Sequence, residues 1–278
     1  MPPAAGLRAH VELSRISGHV VGNARQPDRA VWMLEQWQAA LPPAVRLGPD
    51  GLAADPACCL LHMRYNQLLI VAIRPLFYAA VRRAVAARLM AQPAAPAPAP
   101  APDPDPDPQL GHLRCCLAAA ARNMRLARRV IALNGHRKLL HAGLHFIFNA
   151  AVCLILRRLV VRDEDAAGAL RAAAADVDFA IAQMREAAAK GNADGGRSEQ
   201  TLRDLRALVA RLTAPPADPV VLAGGAAPGP SVAPLLPEHD TLPPMAIGED
   251  PMLYDELVTW MGDDWPIYNG YMAEAEAE

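Results

Sequence analysis

Between Pro93 and Pro108 the chain carries eight prolines, alternating first with Ala and then with Asp. Proline has no amide donor, and it pushes the residue before it into extended conformations. No helix can form there, and at ~3.1 Å per residue the segment is a stiff spacer reaching about 50 Å. Residues 91–109 therefore split the chain into two flanks, 1–90 and 110–212. In both, Leu and Ala recur at helical spacing. Aromatics make up 5% of the residues, and Ala and Leu far outnumber Val, Ile and Thr, which favours helices over sheets. A second stretch, 213–250, is rich in Pro and Gly and reads as a disordered linker before an acidic, aromatic tail over 251–278. Without these low-complexity stretches about 190 residues remain, enough for one sizeable core. The expected fold is all-α: a multi-helix bundle in two halves, with a Pro-rich insertion and a disordered acidic C-terminal tail.

Leu13, Ile16 and Val20 mark a first helix ending near Gly22-Asn23. Asp28 is expected to cap a second, with Val31, Leu34, Trp37 and Leu41 inside and Pro42-Pro43 as its stop. Asp55-Pro56 is a strong start signal for a third, in which Pro75 should kink or break the helix before it resumes over Leu76 to Met90. Leu113, Leu117, Ala120, Met124, Ala127 and Ile131 alternate steps of four and three, with Asn134-Gly135 as the stop. Lys138 to Val161 is apolar on most of its circumference and belongs at the centre of the fold. Its His141, His145, Asn149 and Arg157-Arg158 leave 144–156 largely apolar, short of the ~20 residues of a membrane span, so no membrane partner is expected. Leu170 to Met184 and Leu202 to Leu212 mark two further helices, the first closed by Gly191 and the second capped by Ser198. A short helix over Met252 to Met261 is the last.

The formal charge of −2 conceals an asymmetry. Residues 1–211 hold all 27 Lys and Arg against 17 acids, whereas residues 212–278 hold 12 acids and no Lys or Arg. The basic residues of the body read as solvated helix faces. The five cysteines fall as Cys58-Cys59, Cys115-Cys116 and Cys153, without C-x-x-C or zinc-finger spacing, and read as free thiols in a reducing compartment. The N-terminus has no apolar run of signal-peptide type. Asp163-Glu164-Asp165 is the nearest approach to an aspartate-rich metal motif, but at a helix start acids stabilise the exposed amides. Gly195-Gly196 lacks the Lys-Ser/Thr of a phosphate-binding loop. No serine has a nucleophile-elbow context, and His141 and His145, four apart, read as buried hydrogen-bonded side chains. No catalytic residue and no metal ligand is assigned, and no enzymatic activity is expected.

Leu61 to Tyr78, LHMRYNQLLIVAIRPLFY, is the most specific run in the sequence. It resembles the signature of the regulatory (middle homology) region of fungal binuclear zinc-cluster (Zn2Cys6) transcription factors, the fungal-specific transcription factor domain. The matching positions are Leu61, His62, Met63 and Tyr65, the aliphatic run 68–73, and Arg74-Pro75-Leu76. Upstream, LSRISGHV resembles the family's Ile-x-Gly helix, and Trp37 with Leu41-Pro42 its "W…LP…L" segment. Residues 116–161 resemble the paired helices that follow, and LYDELVTWMGDDW the C-terminal ends found in the family. The resemblance implies a nuclear regulator of RNA polymerase II transcription, with coactivators or the general transcription machinery as partners. An effector molecule and a homodimer are further partners it allows. In the family the signature is scaffold, so Leu61, His62, Tyr65, Arg74 and Pro75 are expected to be structural. The six-cysteine DNA-binding module that would hold zinc is expected to be missing, so no residue here is assigned to DNA and no cofactor to the chain.

The tail fits a binding role. Leu253, Leu257, Trp260 and Trp265 stand among Asp255, Glu256, Asp263 and Asp264, the composition of amphipathic activation segments. The competing reading has this segment dock back on the basic body. For the whole chain the alternatives are a helical coregulator without DNA binding and, less favoured, an uncharacterised helical enzyme.

Overall fold

Proline 75 does not interrupt the helix that contains it. In the structure, a computed structural model, α3 runs unbroken from Pro56 to Met90. Pro75 is exposed, so the carbonyl of Val71 that loses its amide partner lies on the solvent side of the helix. Proline in a helix interior costs ~3 kcal/mol. Beyond it, Phe77, Val81 and Val85 are fully buried, and side chains of this size each contribute ~1.5–3 kcal/mol on burial. Packing outweighs the local cost, and the expected break is corrected to a continuous helix.

The structure describes residues 3–22, 26–90, 108–134, 139, 141–161 and 166–214. Among these are seven α-helices, one short 3-10 turn and no strand, so the fold is all-α. The helices are α1 (Pro3–Gly22), α2 (Pro27–Ala40), α3, α4 (Pro108–Asn134), α5 (His141–Val160), α6 (Ala166–Ala188) and α7 (Ala193–Thr213), with the turn at Pro43–Val45. The Asp163 to Asp165 acids, most of the proline spacer, nearly all of the 213–250 linker and the whole tail, with Leu253, Leu257, Trp260 and Trp265, lie outside the described residues.

The layers follow from which faces are apolar. Helix α3 lies against α4 and α5, so residues from both sides of the spacer share one interface. Helix α5 touches α3, α4, α6 and α7, which is why its circumference is apolar almost throughout. By length and composition 142–160 could cross a membrane, yet Ile147, Phe148 and the run from Ala150 to Leu156 are enclosed by those four helices. Helices α1 and α2 cover the first half of α3 on one flank, and α6 and α7 pair on the other.

Two start signals differ from expectation, and α4 begins inside the proline spacer. Asp28 is not a cap: Pro27 opens α2, Gln26 is the N-cap residue, and the Asp28 carboxylate reaches His112 on α4 at 3.0 Å instead. Proline at the first helical position needs no donor there, and the acid falls inside the first turn. Ser198 lies buried inside α7, whose cap is Asn192, accepting from the Gly195 amide at 3.0 Å. Pro108, the last proline of the spacer, opens α4 in the same way as Pro27 opens α2. Gly195 marks the crossing of α7 over the end of α6, where a Cβ would stand 2.8 Å from the Met184 carbonyl oxygen and the Ala188 nitrogen.

Candidate functional site

The signature residues divide by helix face. Leu61, His62 and Tyr65 point inward from α3 and are buried. Arg74 is half-buried and Pro75 exposed, more than two turns further on, so the five do not converge on one point. The inward group meets Trp37 of α2. Its ring stacks on Tyr65 with centroids 5.5 Å apart and planes 21° from parallel, and lies 6.3 Å from His62. The Trp37 indole N–H donates to the Ala9 carbonyl of α1 at 3.2 Å. One side chain thus joins α1, α2 and α3.

The polar side chains of this cluster are tied to neighbouring elements. The Tyr65 hydroxyl donates to Gln38 Oε1 at 2.8 Å. His62 Nε2 lies 2.9 Å from the Val45 carbonyl, so that nitrogen carries the proton and donates, and Cys58 Sγ donates to the same oxygen at 3.4 Å. Val45 is fully buried in the 3-10 turn, and α3 pins that turn through this doubly used carbonyl. Arg46 closes the arrangement, donating to Leu41 O at 2.6 Å and Ala39 O at 3.2 Å at the carbonyl end of α2.

Burial keeps the cluster uncharged. It pushes the His62 pKa below the ordinary histidine value, partly opposed by the bond to Val45. It lifts Tyr65 to about 12, and with Cys59 and Asp55 nearby it lifts Cys58 to about 11. A neutral, satisfied cluster of this kind holds elements together.

The interface of α3 with α4 is different, and the apolar periodicity did not single it out. Arg122 donates to Asn66 Oδ1 at 3.1 Å. One residue along on each helix, fully buried Asn123 has neither amide atom hydrogen-bonded, and Gln67 Oε1 is also unsatisfied. Each such group costs ~1–3 kcal/mol. The visible signal was an Asn-Gln pair and a lone Asn inside otherwise apolar stripes. Between α4 and α5, Cys116 and Cys153 meet with Sγ atoms 3.8 Å apart, and all five cysteines are free thiols. Contact with the Cys153 sulfur, and then burial, raises the Cys116 pKa well above the usual thiol value. His145 pairs with Asn149 at 2.9 Å along α5. Among the described residues no three His, Cys, Asp or Glu side chains cluster as metal ligands.

Several of the body's arginines join helices while their side chains stay solvent-exposed. Arg128 pairs with Asp176 and lies 4.4 Å over the Phe179 ring, joining α4 to α6. Arg206 pairs with Asp178 at 2.6 Å, and Glu199 takes both Arg185 and Arg203, fastening α7 to α6.

Two open grooves lie side by side where α3 and α5 end. One, of about 540 Å³, is lined by Arg88, Arg158, Val161, Leu170, Leu212 and Thr213. The other, of about 530 Å³, includes Arg83, Ala84, Arg88, Leu110, Leu113 and Leu159. Arg88 belongs to both and donates to Leu159 O at 3.1 Å and Arg158 O at 3.5 Å, a cation on the negative end of α5. No protein-family model, curated protein or solved structure matches this chain.

Proposed function

We propose that the chain is the regulatory region of a fungal-type, zinc-cluster-family transcription factor that controls RNA polymerase II transcription in the nucleus, with an acidic activation-type tail. The observation that carries this reading is where the resembling segments meet. The Ile16-Ser17-Gly18 helix, the Trp37 and Leu41-Pro42 segment and the Leu61 to Tyr78 signature are separate in sequence. They come together as α1, α2 and α3 around Trp37, Tyr65 and His62. Polar residues used up in holding three helices suit a region that carries signals between partners. DNA would be reached through a six-cysteine module outside this chain, and zinc belongs to that module. Coactivators or the general transcription machinery would meet the tail.

The test is a reporter assay. Residues 245–278 fused to a heterologous DNA-binding domain should activate transcription, and W260A with W265A should abolish that activity. A fusion as silent as the empty vector removes the activation role. A coregulator without DNA binding is the second reading, favoured by the paired grooves, which offer a surface for a protein partner. Genomic sequence upstream of Met1 separates the two: an open frame encoding six suitably spaced cysteines supports the regulator, and several kilobases without one support the coregulator.

A further inference from the structure

We infer that the two grooves around Arg88 are the docking site of the chain's own acidic tail, residues 252–265. This does not depend on the transcriptional reading; in a coregulator the tail would have to be displaced before a protein partner could use the same grooves. The first argument is chemical fit. The groove floors are aliphatic, from Ala84, Leu110 and Leu113 on one side to Leu170 and Leu212 on the other, and Arg83, Arg88 and Arg158 stand along them. The Arg88 guanidinium is held in place by the end of α5. Arg83 donates to Gln109 at 2.6 Å, and no carboxylate among the described residues pairs with Arg83 or Arg158. An amphipathic helix with large apolar side chains and flanking acids fills such a groove. In the tail, Leu253, Leu257, Trp260 and Trp265 supply the apolar side chains, and Asp255, Glu256, Asp263 and Asp264 the charge.

The second argument is where the chain leaves the bundle. Thr213 and Ala214 line the first groove, and Ala214 is the last described residue, so the tail starts from the wall of its own site. Leu253 lies 39 residues further on, a length of chain ample to bring it back to the groove. A tether of that length holds the tail at an effective concentration of order millimolar, so a weak contact is enough to keep it bound. The proline spacer also borders the second groove, but between 91 and 107 it offers only Ala, Gln, Pro and Asp and has nothing bulky to fill an aliphatic floor.

Hydrogen exchange on the full chain, read by mass spectrometry, tests this. Tail peptides over 253–265 should exchange at least ten-fold slower than free peptide. R83E with R158E should return them to the free rate while the core amides of α4 and α5 stay protected, and D255R with D263R on that background should restore protection. Should the glutamate pair perturb the core, R83Q with R158Q and a 0.5 M salt arm report the same loss. Free-rate exchange in the unmodified chain overturns the proposal. So does protection that survives loss of both arginines, that fades on dilution as binding to a second copy would, or that depends instead on Asp103, Asp105 and Asp107.

Discussion

His62 must stay neutral to fit where the fold places it. Its Nε2–H is committed to the Val45 carbonyl, and burial lowers its pKa, so below about pH 6.5 the unfolded chain binds a proton that the folded chain refuses. Stability from this group is therefore intact above that pH and falls as the pH drops towards the depressed folded value. A single group can contribute a slope of at most ~1.4 kcal/mol per pH unit. Between pH 6.5 and 5, urea midpoints of the natural chain should fall more steeply than those of H62Q, which keeps a donor and cannot titrate in this range. Identical slopes would show that His62 is charged in the fold. His10, also lowered by burial and by the nearby Arg64, adds its own slope, common to both proteins. The structural role of His62 and Tyr65 could be read from their spacing on one helix face. Their partners could not, because Val45 and Gln38 lie 17 and 27 residues away and only the folded chain brings them within reach. Asn123 was hidden for the opposite reason: helical periodicity registers a polar residue as facing outward, and here it faces in.

At the scale of elements the competition is between local cost and burial. Pro75 is a helix breaker by every local rule, yet α3 continues through it because the residues beyond it are core. P75A should therefore raise the unfolding free energy by ~1–3 kcal/mol, since an exposed alanine restores the missing amide without disturbing a contact. Chemical denaturation measures it, and a less stable variant would mean that the ring or its bend is needed by the bundle. Long periodic elements were legible for the same reason that makes them stable: of the stripe read as Leu113 to Ile131, the residues through Ala127 are the face that α4 buries, while Ile131 is half-buried and Val130 takes the buried place. Starts were less legible. Proline at the first position of α2 and α4 supplies the helical φ, and starting α2 at Pro27 puts Asp28 inside the first turn, from which it reaches His112. In α7 the cap lies six residues before the serine that looked suited to it, because Gly195 brings that end close against α6.

At the scale of the molecule, the spacer separates two stretches that share one core. Helix α3, from before it, lies against α4 and α5, from after it, and Arg88 donates to the last carbonyls of α5. The grooves at that junction are formed by residues from 80 to 214, so no single stretch of sequence could reveal them. The charge asymmetry points only to an occupant, an acidic tail for a basic body. The tail site depends on the halves being one folding unit. A protease site placed among residues 95–104 of the full chain, cut after folding, tests that dependence most directly. The two fragments should co-elute in native buffer at high salt with the helical circular dichroism unchanged, and should separate only in denaturant. Fragments that part in native buffer would contradict the shared core on which the whole account stands.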